Sequence, residues 1–228
     1  MSEARSSKIR VWDAPVRVFH WLLVLSFAGA YLSAESETWR LLHVTLGYTL
    51  GGLLLFRLVW GVVGTRYARF SQFVRGPGAV LRYLQSIKAK QPEHHLGHNP
   101  AGAVAIVLLM ALGMLVAATG YATYNDLGPG WLAELHDLAA NAMLLVVAGH
   151  LVGVVTASLQ HRENLVRAMV TGFKTGQPQQ GIRRSWSGLA VVLLLVVLGF
   201  WYWQWKNAPQ AEAPASASAT KVTSQITL

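Results

Sequence analysis

The 228-residue chain contains no cysteine. Disulfides, iron–sulfur clusters, thiolate zinc sites and thioether-linked haem of the C-x-x-C-H type are therefore excluded. Charge is also scarce. Asp, Glu, Lys and Arg make up 13% of the residues, about half the share of an ordinary soluble domain, while 53% are apolar. A chain this apolar satisfies its composition only if much of its surface faces lipid. Acidic residues are the rarer sign, 10 against 19 basic ones, for a net charge of +9 with His neutral. Such an excess can serve nucleic acid, but here the basic residues lie between long apolar runs. That pattern fits the basic cytoplasmic loops of a membrane protein, and nucleic acid is not an expected partner. No catalytic nucleophile motif, phosphate loop or dinucleotide fingerprint occurs.

Five apolar stretches approach or exceed the roughly 20 residues that cross a bilayer as a helix. They run from Val16 to Ala34, Trp39 to Gly64, Ala101 to Tyr124, Trp131 to Leu159 and Trp186 to Trp205. Trp201, Trp203 and Trp205 form an aromatic belt at the end of the last. Arg5, Lys8, Arg10 and Arg17 precede or open the first stretch. Arg66, Arg69, Arg75, Arg82, Lys88 and Lys90 separate the second and third, and Arg162, Arg167, Lys174, Arg183 and Arg184 follow the fourth. The other two connections carry Glu35, Glu37 and Asp126, with Arg40 just beyond the first of them. The positive-inside rule places the N-terminus in the cytoplasm and the C-terminus outside. Residues 207–228 are rich in Ala, Pro and Ser and read as a flexible tail. Between Arg66 and Gly97, Phe70, Phe73, Val74, Val80, Leu81, Tyr83, Leu84 and Ile87 suggest an amphipathic interfacial helix. A cleaved signal peptide ending near Ala34 is the competing reading of the N-terminus, but both its basic and its apolar segments are long for one.

Ionisable residues inside a membrane are costly, so each is a functional candidate. Four of the eight histidines, His20, His43, His136 and His150, fall within the spans. A lone histidine there commonly hydrogen-bonds a neighbouring helix. These four instead pair by depth. His136 and His150 lie 14 residues apart on one span, which is about 21 Å along a helix and returns to within about 40° of the same direction. His20 starts the first span on the inner side and His43 starts the second on the outer side. The expected pairs are His20 with His150 and His43 with His136. Neutral imidazole is a good iron ligand, and two bis-histidine b-type haems at two depths make a transmembrane electron relay.

The surroundings suit a flat macrocycle. His43, Gly47 and Gly51 share a helix face, and glycine admits close approach; the same Gly47–Gly51 spacing is also a helix-packing motif. Ala139, Ala140 and Gly153 are similarly small near the ligands of the fourth span. Arg57, on a face similar to that of His43 near the inner end of its span, is either a haem-propionate partner or a snorkelling arginine. His94, His95, His98 and His161 fall in cytoplasmic loops. They read as polar loop residues, or as contacts to a propionate or quinone headgroup, in preference to a dedicated metal site.

On these residues the chain resembles the bacterial cytochrome b561 family, which is similar to the cytochrome b subunits of nickel–iron hydrogenases. The resemblance covers Ile9 to Lys174. It rests on Trp12-Asp13 with Arg17 and His20-Trp21; Leu42-His43 with Gly47-Tyr48; Arg57 with Trp60-Gly61; Gly97-His98-Asn99-Pro100 with Gly102; Thr119-Gly120; His136 with His150; and Asn164-Leu165-Val166 with Met169 and Gly172. It implies an all-α membrane protein, a four-helix bundle at residues 1–174 that holds two non-covalent haems b on the same four histidines. A cytoplasmic linker at 175–185 and a fifth C-terminal helix at 186–206 depart from the family core, which needs four spans. The implied function is respiratory electron transport between membrane quinone or quinol and a redox protein, such as a periplasmic c-type cytochrome. A membrane-anchor subunit of a larger oxidoreductase is the alternative. A histidine-based proton or metal transporter fits less well, because Glu134 and Asp137 sit at the end of a span and no inverted repeat is visible.

Overall fold

The computed structural model describes residues 7–89 and 93–208. Most of the expected tail, together with Arg5 and Lys90, lies outside the described residues. Five long helices carry the fold: α1 (Ala14–Leu32), α2 (Arg40–Val63), α5 (Pro100–Tyr124), α6 (Trp131–His161) and α8 (Ser187–Lys206). All five are long and apolar enough to cross a membrane, and each lies within two residues of its expected bounds at either end. The chain is a multi-pass helical membrane protein. Leu145 and Leu159, 75% and 74% exposed, are among many apolar side chains turned outward, as a lipid-facing surface requires.

The helix starts are written locally. Asp13 caps α1 by accepting the amide of Val16 at 2.8 Å, with Pro15 inside the first turn. Asn99 accepts the amide of Gly102 at 2.7 Å, and Pro100 opens α5, where the missing N–H costs nothing. The connection between α2 and α5 folds into two helices, α3 (Phe70–Phe73) and α4 (Pro77–Lys88). Only α4 is the expected amphipathic helix. It buries Tyr83 and exposes Leu81 and Leu84, while the phenylalanines of α3 turn back under the bundle.

A two-stranded antiparallel sheet joins the ends of the first 176 residues. β1 (Ser7–Arg10) pairs with β2 (Phe173–Gly176), Ser7 opposite Gly176 and Arg10 opposite Phe173. Between α6 and this sheet, the short helix α7 (Leu165–Thr171) ends at Gly172, whose φ of 87° is left-handed backbone that favours glycine. The Gly172 carbonyl accepts the amides of Val11 and Trp12 at 2.9 and 3.1 Å, which ties the N-terminal segment to the end of the bundle. The end of the molecule bearing this sheet is called the sheet end below, and the opposite end the far end.

Two buried clusters hold the structure. Phe19, Leu22, Leu50, Leu53, Leu54, Met143 and Val197 fill the middle of the bundle, and Ile9, Val11, Trp12, Val16, Trp60, Ala68 and Ala168 fill the sheet end. α1 packs on α2, α2 on α5, and α5 most extensively on α6. α8 packs along α1 and is fixed to α2 by the Trp201 indole, which donates to Thr49 Oγ1 at 2.8 Å. α6 packs most extensively along α5, meets α1 where the Tyr31 hydroxyl donates to Asn141 Oδ1 at 2.8 Å, and meets α2 through Met143 in the central cluster.

Candidate functional site

At the far end, His43 from α2 and His136 from α6 face one another, with ring centroids 6.2 Å apart and ring planes at 75°. His43 Nδ1 is 2.8 Å from the carbonyl of Ala30. His136 Nδ1 is 3.0 Å from the carbonyl of Val116 and 3.3 Å from Thr119 Oγ1. A carbonyl only accepts, so each Nδ1 carries the proton and donates, leaving each Nε2 with a free lone pair. This is the arrangement of metal-ligating histidines, whose second nitrogen donates to a backbone carbonyl. Two imidazole–metal bonds of about 2 Å each, with the nitrogen-to-centre distance of each ring, span close to the observed 6.2 Å.

His20 of α1 and His150 of α6 lie toward the sheet end, near enough for His150 to act electrostatically on His20. The structure sets His43 and His136 face to face and places His20 and His150 toward the opposite end of the bundle. Among the described residues, no cluster of three or more His, Cys, Asp or Glu side chains converges on a point. A metal that needs only two protein ligands is one that arrives with its own equatorial donors, and the porphyrin iron of haem is that case.

The glycines around the pairs divide by role. A Cβ on Gly47 or Gly153 would meet nothing within 4 Å, so both positions open on free space. A Cβ on Gly51 would lie 3.3 Å from Ala117 Cβ, so Gly51 serves the packing of α2 on α5. The expected glycine face is therefore half open cradle and half helix contact. A Cβ on Gly120 would stand 2.8 Å from Cε1 of the His136 ring and 3.1 Å from its Nδ1. Gly120→Ala is expected to push that imidazole off its bond to Val116. The absorption of a haem held between His43 and His136 should shift or weaken in a reduced-minus-oxidised spectrum, with total stability changed by about 1–3 kcal/mol. An unchanged spectrum would show that the ring moves freely.

Arg57 is not a snorkelling arginine. It is 3% exposed, and its guanidinium lies 4.8 Å over Phe70 and 5.9 Å over Phe73. Its Nη1 is buried without a hydrogen-bond partner. His98, which reads in sequence as a loop residue, is folded into the sheet end. Its ring centroid is 4.6 Å from that of Trp12 and 4.5 Å from that of Phe73. Burial first, then the charge of Arg57, with smaller contributions from His150, Lys174 and His20, push the His98 imidazole down to about 3, so it is neutral at ordinary pH. Its Nδ1 is likewise buried and unpartnered. A cleft of about 500 Å³ opens beside it, lined also by Arg66, Arg75, His94 and His95. His94 packs edge-on to His161 at 5.4 Å, and His95 approaches Glu93 at 3.5 Å. Lys174, which the sequence offers as a flanking surface charge, is 5% exposed. It pairs with Glu163 at 2.9 Å and donates to the Leu96 carbonyl at 3.2 Å.

A bundle of membrane-crossing helices, with histidines paired across its interior and no other metal-binding cluster among the described residues, defines a membrane cytochrome b. The family model for prokaryotic cytochrome b561 matches residues 11–172, and the chain belongs to that family of haem-b electron-transfer proteins. It is also similar to three curated proteins, each a probable Ni/Fe-hydrogenase B-type cytochrome subunit. Hydrogenase 1 of Escherichia coli K12 supplies one, 25% identical over 72% of this chain and 90% of its own length. The subunit of Azotobacter vinelandii is 25% identical over 75% and 90%, and that of Rhizobium leguminosarum bv. viciae 23% over 72% and 87%. No solved structure matches.

Proposed function

We propose that the chain binds two haems b, one between His43 and His136 and one between His20 and His150, and carries electrons between a membrane quinone or quinol and a redox protein. The observation that carries this reading is the far-end pair. Two rings from different helices stand 6.2 Å apart, both with Nδ1 engaged on a backbone carbonyl and Nε2 free. Haem b, when bound, supplies the one-electron redox couple. The chain supplies the two ligand pairs at different depths, keeps water from them within the bundle, and fixes the ring tautomers through α1 and α5 carbonyls. Arg57, buried and with a free donor, is a partner for a propionate.

Residues 1–174 form the haem-bearing unit in this reading, followed by a cytoplasmic linker at 175–185. The fifth helix, at 186–206, is an addition that covers α1 and reaches α2 through Trp201. The sheet end is the cytoplasmic end, since Arg66, Arg69, Arg75, Arg162, Arg167, Arg183 and Arg184 all gather there. The C-terminus is then periplasmic, where a c-type cytochrome is a suitable partner. A second reading, the membrane-anchor subunit of a larger oxidoreductase, is favoured by the printed names of the relatives. Co-purification with a partner subunit separates the two.

The test is a haem count. Protein purified in detergent is expected to give two haems b per chain by pyridine haemochrome, with low-spin reduced-minus-oxidised spectra. A protein without haem, from cells able to make it, would return the intramembrane histidines to proton or metal chemistry.

A further inference from the structure

At the sheet end, buried nitrogen atoms of four side chains have no hydrogen-bond partner among the described residues: His98 Nδ1, Arg57 Nη1, Arg17 Nε and His95 Nε2, the last 3.5 Å from Glu93. Burying a polar group without a partner is costly, and orphans of this kind are uncommon, so the three with no carboxylate beside them, on His98, Arg57 and Arg17, point to an added acceptor. They come from separate elements and converge through shared neighbours. Phe73 lies under the Arg57 guanidinium at 5.9 Å and against the His98 ring at 4.5 Å. Trp12 also packs against His98, with ring centroids 4.6 Å apart. A Cβ on Gly172 would lie 2.8 Å from the Trp12 carbonyl and 3.3 Å from Arg17 Nε, which puts Arg17 beside the same tryptophan. Arg17 is also one helical turn before His20, and its Nη1 donates to the carbonyl of Val170.

From this placement we infer that His98 is a haem-binding residue: its Nδ1 donates to a propionate carboxylate of the sheet-end haem, which Arg57 and Arg17 also hold. The inference rests on the dihaem reading above. The chemistry fits a carboxylate. Two guanidiniums supply charge and forked donors, and a neutral imidazole supplies one directed N–H. The ring itself is packed against Trp12 and Phe73, so little rotamer freedom remains to be lost when the bond forms. Other charged groups near His98 are Lys174, already committed to Glu163, and Arg66 and Arg75 across the cleft, while Asp13 acts on Arg57. No carboxylate is bonded to either free nitrogen, which leaves the place of the anion to an added group.

The test compares wild type, His98→Phe and His98→Asn as purified holoproteins. Phenylalanine keeps a ring against Trp12 and Phe73 and removes the donor. Asparagine places an amide N–H near the position of Nδ1. Midpoint potentials of both haems are taken at mildly alkaline pH, where a propionate is ionised. His98→Phe is expected to lower the potential of the sheet-end haem alone, because a less neutralised carboxylate favours the ferric state, and His98→Asn is expected to restore it. Loss of only that haem in His98→Phe, with retention in His98→Asn, would carry the same conclusion. Equal impairment of both variants would show a packing role and overturn the inference, as would two variants indistinguishable from wild type. Unmoved potentials with a weakened response to added quinone would assign the acceptor to a quinone oxygen and overturn it as well. Wild type without haem would instead sink the underlying reading.

Discussion

His136→Ala is expected to reduce the haem content from two per chain to one. The imidazole is one of two protein donors at the far end, and nothing else there can replace it: among the described residues no third ligand-type side chain joins the pair. Loss of a residue that merely orients a metal ligand costs about 10–100-fold in affinity, and loss of the ligand itself costs more. The haem at the sheet end should stay. The ligands proposed for it, His20 and His150, lie about 21 Å away along the bundle, and alanine is the best helix former, so α6 remains packed on α5. The measurement is pyridine haemochrome per chain together with a redox titration, which should show one component in place of two. Two haems at full occupancy in this variant would contradict the ligand assignment. His43→Ala should behave alike, while His150→Ala should spare the far-end haem.

Much of this architecture is legible in the sequence because it depends on short-range rules. The spans follow from apolar length, and their ends from Asp13-Ala14-Pro15 and Asn99-Pro100. The pairing of histidines by depth follows from helix rise and alternating direction alone. What fails to show is whatever depends on chain segments meeting far from each other. β1 and β2 are four residues each and carry no clear alternation, and they exist because α7 and Gly172 return the chain to its own N-terminus. His98 looks like a loop residue because its neighbours are polar. Its burial is decided by Trp12 and by Phe73, the latter on a helix of only four residues. The resemblance to the cytochrome b561 family, through Gly97-His98-Asn99-Pro100, was the one available signal. Lys174 reads as surface charge for the same reason, since its partner Glu163 is identified only once α7 has turned. The face of Gly47 and Gly51 shows a subtler limit. Spacing places both on one side of α2 but cannot say that α5 covers only the second.

The single change expected to do most damage to the fold is Asp13→Ala. Asp13 is 1% exposed, and its carboxylate joins three pieces of chain. Oδ1 accepts the amide of Val16 and caps α1, while Oδ2 accepts Trp60 Nε1 at 3.1 Å and the Thr65 hydroxyl at 2.6 Å, from α2 and the turn after it. Loss of the cap costs about 1 kcal/mol. Each bond to a charged acceptor is worth about 1.5–3 kcal/mol, and the orphaned donors stay buried. The expected total is about 4–7 kcal/mol, a large part of the 5–15 kcal/mol that holds a typical domain together. Asp13→Asn keeps an acceptor for Val16 and should lose about half as much. The damage should also be local. α1 starts at this residue and places His20 two turns later, and Asp13 is the carboxylate that acts on buried Arg57. Heating in detergent should therefore release the sheet-end haem of Asp13→Ala well before the far-end haem, whereas the wild type should hold both to a higher temperature. Because membrane proteins often unfold irreversibly, the comparison is best made as half-lives of each haem signal at one temperature. Simultaneous loss of both signals would mean that the two ends unfold as one unit; half-lives matching the wild type would mean that α1 is positioned by apolar packing alone.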